Sequence, residues 1–122
     1  EYSYKQYVAD YEYMDSVIML SRDEEFDEIC KQLDAETLVV CDFWATWCGP
    51  CVYIAPYYHE MSEKYKDVVF LKADVDELSK LSQEKGINCM PTFKFFKNGK
   101  EIHKIEGADK EAIVDAIEKF SK

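Results

Sequence analysis

The sequence predicts an α/β domain of three layers, a mixed five-stranded sheet flanked by helices on both faces. Three observations point there. Apolar, β-branched runs alternate with segments of helical periodicity in the order strand, helix, strand, helix, strand, helix, strand, strand, helix. Thr37–Trp44 is apolar on both of its faces, the mark of a central strand covered from two sides. Lys97-Asn98-Gly99-Lys100 carries the Asn-Gly pair of a tight hairpin, which makes the last two strands antiparallel.

The elements follow in order. Ser16–Leu20 reads as a short apolar strand. Ser21 reads as a helix N-cap, with Glu24 completing a capping box. The helix over Arg22–Leu33 sets Phe26, Ile29, Cys30 and Leu33 on one face. After the central strand, a helix from Cys48 to Tyr65 contains Pro56, which removes a backbone donor and should kink it. Val68–Ala73 is the next strand and Glu77–Glu84 a short helix. Thr92–Phe96 and Glu101–Ile105 form the hairpin, and Ala108–Ser121 closes the chain with Ile113, Val114, Ile117 and Phe120 on a helical face.

The 122 residues hold one domain, taken as residues 16–122, behind an extension of residues 1–15. Five of the nine tyrosines lie within the first 13 residues, and Tyr4, Tyr7, Val8 and Tyr11 share one face of a possible terminal helix. With 48% hydrophobic residues the chain can bury a core without covalent staples. The 15 Lys and Arg against 25 Asp and Glu give a net charge of -10, which argues against nucleic acid or an anionic membrane as partner. No apolar run approaches the roughly 18 residues of a membrane span. Five cysteines is an odd count, so at least one stays unpaired within the chain, which favours a reducing compartment.

The chemistry concentrates in Trp44-Ala45-Thr46-Trp47-Cys48-Gly49-Pro50-Cys51, at the carboxyl end of the central strand, where open α/β sheets place reactive groups. Cys48 falls at a helix start, where unpaired N–H groups and the helix dipole stabilise a thiolate. Cys51 falls one turn inside, within bridging reach and shielded. Pro50 suits a first helical turn, where its missing N–H costs nothing. Other readings compete less well. A structural disulfide does not need a helix start beside Trp47. A zinc site wants a second Cys or Cys/His pair at ligand spacing, and His59 does not supply it. Two chance buried cysteines fit poorly with the Trp before them and the Gly-Pro between. A redox pair is favoured, with no metal.

Trp47-Cys48-Gly49-Pro50-Cys51, preceded by Asp42-Phe43-Trp44-Ala45-Thr46 and followed by Cys89-Met90-Pro91-Thr92-Phe93, closely resembles the thioredoxin family over about residues 16–122. The resemblance implies the thioredoxin fold, with four helices around the sheet. It implies a protein-disulfide reductase and electron carrier, with Cys48 as the nucleophile, Cys51 as the resolving thiol, and a redox-active disulfide between them. Asp42 matches the family's buried carboxylate that takes the resolving cysteine's proton, and Lys72 matches a lysine that partners it in some members. Pro91 matches the family's cis-proline. Trp47, Gly49, Pro50, Met90, Gly107 and Ala108 match the rim on which protein substrates dock, and Trp44 a packing tryptophan beside it.

No bound cofactor is implied: electrons come from NADPH through a thioredoxin reductase and pass to disulfide-containing proteins such as peroxiredoxins. Cys89 stands where animal members carry a cysteine that forms intermolecular disulfides or is modified, so a regulatory role or a Cys89-linked dimer is an alternative to the expected monomer. Cys30 and Cys41 read as buried and inert, and His59 and His103 as surface residues. Two rival functions remain. A secretory oxidase or isomerase usually carries His or another residue where Pro50 stands, and a non-catalytic binding module could use the Tyr-rich extension. No charged-then-apolar leader opens the chain. Its first residue is Glu1, so the expected cytoplasmic location keeps a mitochondrion or other organelle, after leader removal, as its alternative.

Overall fold

The structure is a computed structural model that describes residues 16–121. The expected Tyr-rich helix, and the boundary drawn behind it, rest on residues outside that range. The chain runs β1 (Val17–Met19), α1 (Glu25–Gln32), β2 (Val39–Trp44), α2 (Gly49–Lys64), β3 (Val69–Asp74), α3 (Ser79–Glu84), β4 (Thr92–Lys97), β5 (Lys100–Glu106) and α4 (Lys110–Phe120). The five strands form one mixed sheet in the order β1-β3-β2-β4-β5. β1, β3 and β2 are parallel, β4 runs antiparallel to β2, and β5 runs antiparallel to β4. This is the mixed five-stranded, three-layer arrangement expected from the sequence and the thioredoxin fold that the resemblance implies, with five strands and four helices.

Alternation along each strand sends successive side chains to opposite faces, which builds two cores from one sheet. Val40, Phe70, Phe93 and Phe95 pack against Ile54, Tyr58 and Met61 of α2 and Ile113 and Ile117 of α4. On the other face Val39, Cys41, Phe43, Leu71 and Phe96 meet Phe26 of α1 and Leu81 of α3. Fully burying a Leu, Ile or Phe contributes ~1.5–3 kcal/mol, against ~0–1 kcal/mol for an exposed ion pair. Apolar layering therefore decides the fold. Tyr58 adds a polar clamp: its fully buried hydroxyl shares its one proton between the carbonyls of Val40 on β2 (3.0 Å) and Leu71 on β3 (2.8 Å).

Several boundaries differ from the sequence reading. The α1 helix starts at Glu25, with Glu24 and not Ser21 at its N-cap and no side-chain cap hydrogen bond there; instead the Glu25 carboxylate accepts from the Ser21 N–H (2.5 Å), the Ser21 hydroxyl (3.0 Å) and the Arg22 N–H (3.2 Å), tying down the chain that enters the helix. Helix α4 starts at Lys110, with the Asp109 side chain accepting from the Ala112 N–H at 3.0 Å. Helix α2 spans Gly49–Lys64, one residue shorter at each end than expected, with Pro56 inside it. In the hairpin Asn98 and Gly99 both take positive φ (54° and 76°), as a two-residue primed turn requires. Cys41 is buried as expected, whereas Cys30 is only half-buried against the same core. His103 is not a surface residue. It is half-buried between the rings of Phe95 and Phe120, at 5.4 and 5.3 Å. His59 is also half-buried, 3.5 Å from the Glu63 carboxylate.

Removing the Tyr58 hydroxyl deletes the buried proton that the Val40 and Leu71 carbonyls share. Urea unfolding should show Tyr58→Phe losing about 1–3 kcal/mol and Tyr58→Ala, which also opens a cavity, about 3–5 kcal/mol. An unchanged midpoint for Tyr58→Phe would mean that the clamp contributes nothing.

Candidate active site

Strand β2 ends at Trp44, and the chain must turn at once to start α2 over the sheet. The Cys48 N–H donates to the Ala45 carbonyl at 3.2 Å, closing that turn. Cys48 is the N-cap of α2, extended at φ −95° and ψ 112°, which aims its sulfur back at the helix end. There Sγ accepts from the Cys51 N–H at 3.2 Å. Pro50 lies in the first turn, and that turn contains no acidic side chain to offset the positive end of the dipole. One turn of helix separates Cys48 from Cys51, their Cα atoms are 5.2 Å apart, and they are joined as a disulfide. Cys51 is 1% exposed and Cys48 6%, both packed among Ala45, Trp44, Val75 and Met90.

Of the predicted rim residues, Met90 packs against this pair, Trp47, Gly49 and Pro50 adjoin it in the chain, and Ala108 packs against the core between the sheet, α2 and α4. Trp47 is 66% exposed, and its Nε1–H donates to the Asp76 carboxylate at 2.9 Å. Gly49 and Pro50 are exposed, while Met90, Gly107 and Ala108 are half-buried and Pro91 is covered. The carbonyl oxygen of Met90 lies 3.6 Å from Cys48 Sγ. The Met90–Pro91 bond is cis, as the resemblance implies. The Gly107 N–H donates to the Pro91 carbonyl at 2.8 Å, with Gly107 at φ +106°, a region L side chains rarely adopt. Sequence reasoning missed two features. Asp76 orients Trp47 from 29 residues away, a pairing without a local signal. Val52 and Tyr53 are exposed apolar side chains beside the cysteines. That exposure was readable from the helix period, since Ile54, Tyr58 and Met61 take the inward face.

Asp42 lies in the middle of β2 on the face that α2 covers, two residues from Val40. It is 0% exposed, and neither carboxylate oxygen has a hydrogen-bond partner among the described residues. Burial raises its pKa to about 7, with the nearby Lys72 ammonium pulling it back down. Lys72 is the direct register partner of Asp42 on β3, and its ammonium sits 4.5 Å over the Trp44 ring. It is thus half-buried over the tryptophan that ends β2.

Of the other cysteines, burial pushes the thiols of Cys41 and, less strongly, Cys30 up, which keeps them protonated. Cys89 is exposed next to Met90, with its sulfur 3.8 Å from the Thr92 hydroxyl, which itself donates to the Cys89 carbonyl at 2.6 Å. Among the described residues no three His, Cys, Asp or Glu side chains are grouped to hold a metal ion, and no helix is long and apolar enough to cross a membrane.

Comparison with known proteins agrees with this geometry. The family model described as Thioredoxin matches residues 17–119. Thioredoxin of Callithrix jacchus is 45% identical over 104 residues, covering 84% of this chain and 99% of that one. Thioredoxin 1 of Plasmodium falciparum is 44% identical over 105 residues, covering 86% and 98%. Among solved structures, Schistosoma mansoni thioredoxin superposes with a TM-score of 0.82 at 43% identity, covering 88% of this chain and 97% of that one.

The Asp42 pKa has a consequence for stability. The unfolded chain releases this proton near the ordinary 3.8, whereas the folded chain holds it to about 7. Between those values the native state binds more protons, so stability falls as pH rises, by ~1.4 kcal/mol per unit from this group alone. Urea unfolding of oxidised Asp42→Asn and wild type should show the variant gaining relative stability from pH 4 to pH 7, by about 4 kcal/mol in total, then no further. A pH-independent difference would place the carboxyl in an ordinary, solvated environment.

Proposed function

The chain belongs to the thioredoxin family and is a thiol–disulfide oxidoreductase that acts on protein disulfides by dithiol–disulfide exchange through Cys48 and Cys51; from that premise, we propose how its side chains divide the reaction. In the reduced protein Cys48 attacks one sulfur of a target disulfide. The target S–S bond breaks, one target sulfur leaves as thiolate, and Cys48 keeps the other in a mixed disulfide. Cys51 then loses its proton to the Asp42 carboxylate and attacks Cys48 Sγ, expelling the second target thiolate. The target gains two electrons and, on protonation, two hydrogens, while the protein retains the Cys48–Cys51 disulfide.

One observation carries this assignment: Cys48 Sγ is the N-cap of α2, facing the Cys51 N–H, while Cys51 is shut inside. A donor and a helix dipole stabilise negative charge on the outer sulfur. A buried carboxyl titrating about 7 supports Asp42 as the base near neutrality. Trp47, Gly49, Pro50, Met90, Pro91, Gly107 and Ala108 form the docking rim, a target segment lying along the Met90 backbone beside Cys48.

The remaining assignments belong to the same reading. An NADPH-dependent thioredoxin reductase recharges the disulfide, peroxiredoxins are among the targets, and the protein works as a cytoplasmic monomer carrying electrons without a bound cofactor. The odd cysteine count supports a reducing compartment. Exposed Cys89 beside the rim supports a second state, a dimer linked through that thiol.

Insulin-disulfide reduction driven by dithiothreitol tests the roles. Cys48→Ser should fall to the dithiothreitol background, and Asp42→Asn should slow turnover at pH 7 by roughly 10- to 100-fold. Trp47→Ala should raise KM for insulin and leave a small-molecule disulfide unaffected. Full activity of Cys48→Ser would overturn the assignment. A reduction potential of about −270 mV, the value of thioredoxins in general, supports a reductant, and one of about −120 mV would favour the oxidase reading.

A further inference from the structure

We propose that residues 1–15 of this chain bind in the groove between α2 and α4, making the Tyr-rich segment an intramolecular ligand of its own domain. The groove lies outside the disulfide exchange centre. Tyr57 and Met61 on α2 and Tyr65 at its C-cap stand at four-residue spacing along one side, which opens toward Lys110 and Val114 of α4 with Lys64 at its margin. The open space is about 240 Å³, and Glu60 is the carboxylate in its lining. Lysine ammoniums already rest on its aromatic walls, Lys110 at 4.1 Å from the Tyr57 ring centre and Lys64 at 5.2 Å from that of Tyr65. Tyr53, 5.4 Å from Tyr57, carries the aromatic strip on toward the cysteines.

Position, reach and composition all select this occupant. Ser16 begins the described chain, and its hydroxyl accepts from Lys66 Nζ at 3.4 Å, one residue past Tyr65 at the foot of the groove. From Tyr65 to Tyr57 the helix rises ~12 Å, whereas the 15 residues preceding Ser16 reach up to ~50 Å when extended. Tyr2, Tyr4, Tyr7, Tyr11 and Tyr13 bring rings to an aromatic, lysine-edged surface. Glu1, Asp10, Glu12 and Asp15 against the single Lys5 make the segment acidic, matched to Lys64, Lys66 and Lys110. Tethering makes the encounter intramolecular, with effective concentrations of about millimolar, so modest contacts suffice.

Zero-length carbodiimide coupling of the full chain tests this directly. Mass spectrometry of the monomer band should find amide links from Asp10 or Glu12 to Lys64 or Lys110. Chymotrypsin should also cleave after Tyr7 and Tyr11 about fivefold faster in the double variant Lys64→Glu/Lys110→Glu than in wild type, because cleavage tracks the undocked population. Retained insulin reduction by that variant confirms that it is folded. Links only to lysines elsewhere, such as Lys31 or Lys80, would overturn the proposal. So would links confined to a dimer band, which mark a second copy in the groove, or equal cleavage rates.

Discussion

The chemistry of this protein depends on a central strand with no free face. Strand β2 pairs with β3 on one edge and β4 on the other, and helices cover both of its sides. Such a strand is normally all apolar. Here it carries Asp42, fully enclosed and without a hydrogen-bond partner. An ionised carboxylate in that setting costs several kcal/mol, and the apolar layers on both faces offset that cost. The result is a group that titrates near neutrality instead of near 4. Stability has been given up at the position where a proton must be exchanged, the usual relation between a strained functional site and the scaffold that holds it.

The same strand sets the geometry of the thiols. Its end at Trp44 and the immediate start of α2 leave room for one tight turn, and the residue that closes the turn becomes the N-cap. Because that residue is a cysteine, the sulfur receives the hydrogen bond that a serine or aspartate oxygen would otherwise accept. The second sulfur is placed one turn further, inside, by helix periodicity alone. Two identical side chains thus acquire different environments from backbone geometry, and the order of their reactions follows from it. The segment that leads into β4 closes the site from the other side, with the Met90 carbonyl 3.6 Å from Cys48 Sγ.

Much of this was legible in the residues. The doubly apolar Thr37–Trp44, the Asn-Gly turn and the alternating periodicities determine the sheet and its mixed direction, and the spacing of Cys48 and Cys51 places them on a helix start. What escaped the reading depended on distance or on neighbouring choices. Glu24 and Glu25 are adjacent carboxylates, and which one reaches Ser21 depends on how the chain leaves β1 rather than on a capping pattern. His103 looks like a surface histidine on a strand, but the closing helix lays Phe120 over it. Asp76 meets Trp47 only because β3 ends beside the α2 entry. Lys72 was ambiguous in one dimension and became specific only when strand register set it opposite Asp42.

The account turns on unequal sulfurs, the outer attacking and the inner resolving. The direct measurement is adduct formation with a radiolabelled disulfide peptide, by mass spectrometry, on reduced Cys51→Ser and Cys48→Ser proteins at pH 7. The predicted result is a stable mixed disulfide on Cys48 in the Cys51→Ser protein. The Cys48→Ser protein should leave Cys51, 1% exposed in this structure, essentially unlabelled over the same time. Labelling of Cys51 as fast as that of Cys48 would contradict the account, because the helix cap and the enclosing core would then make no difference to which thiol attacks.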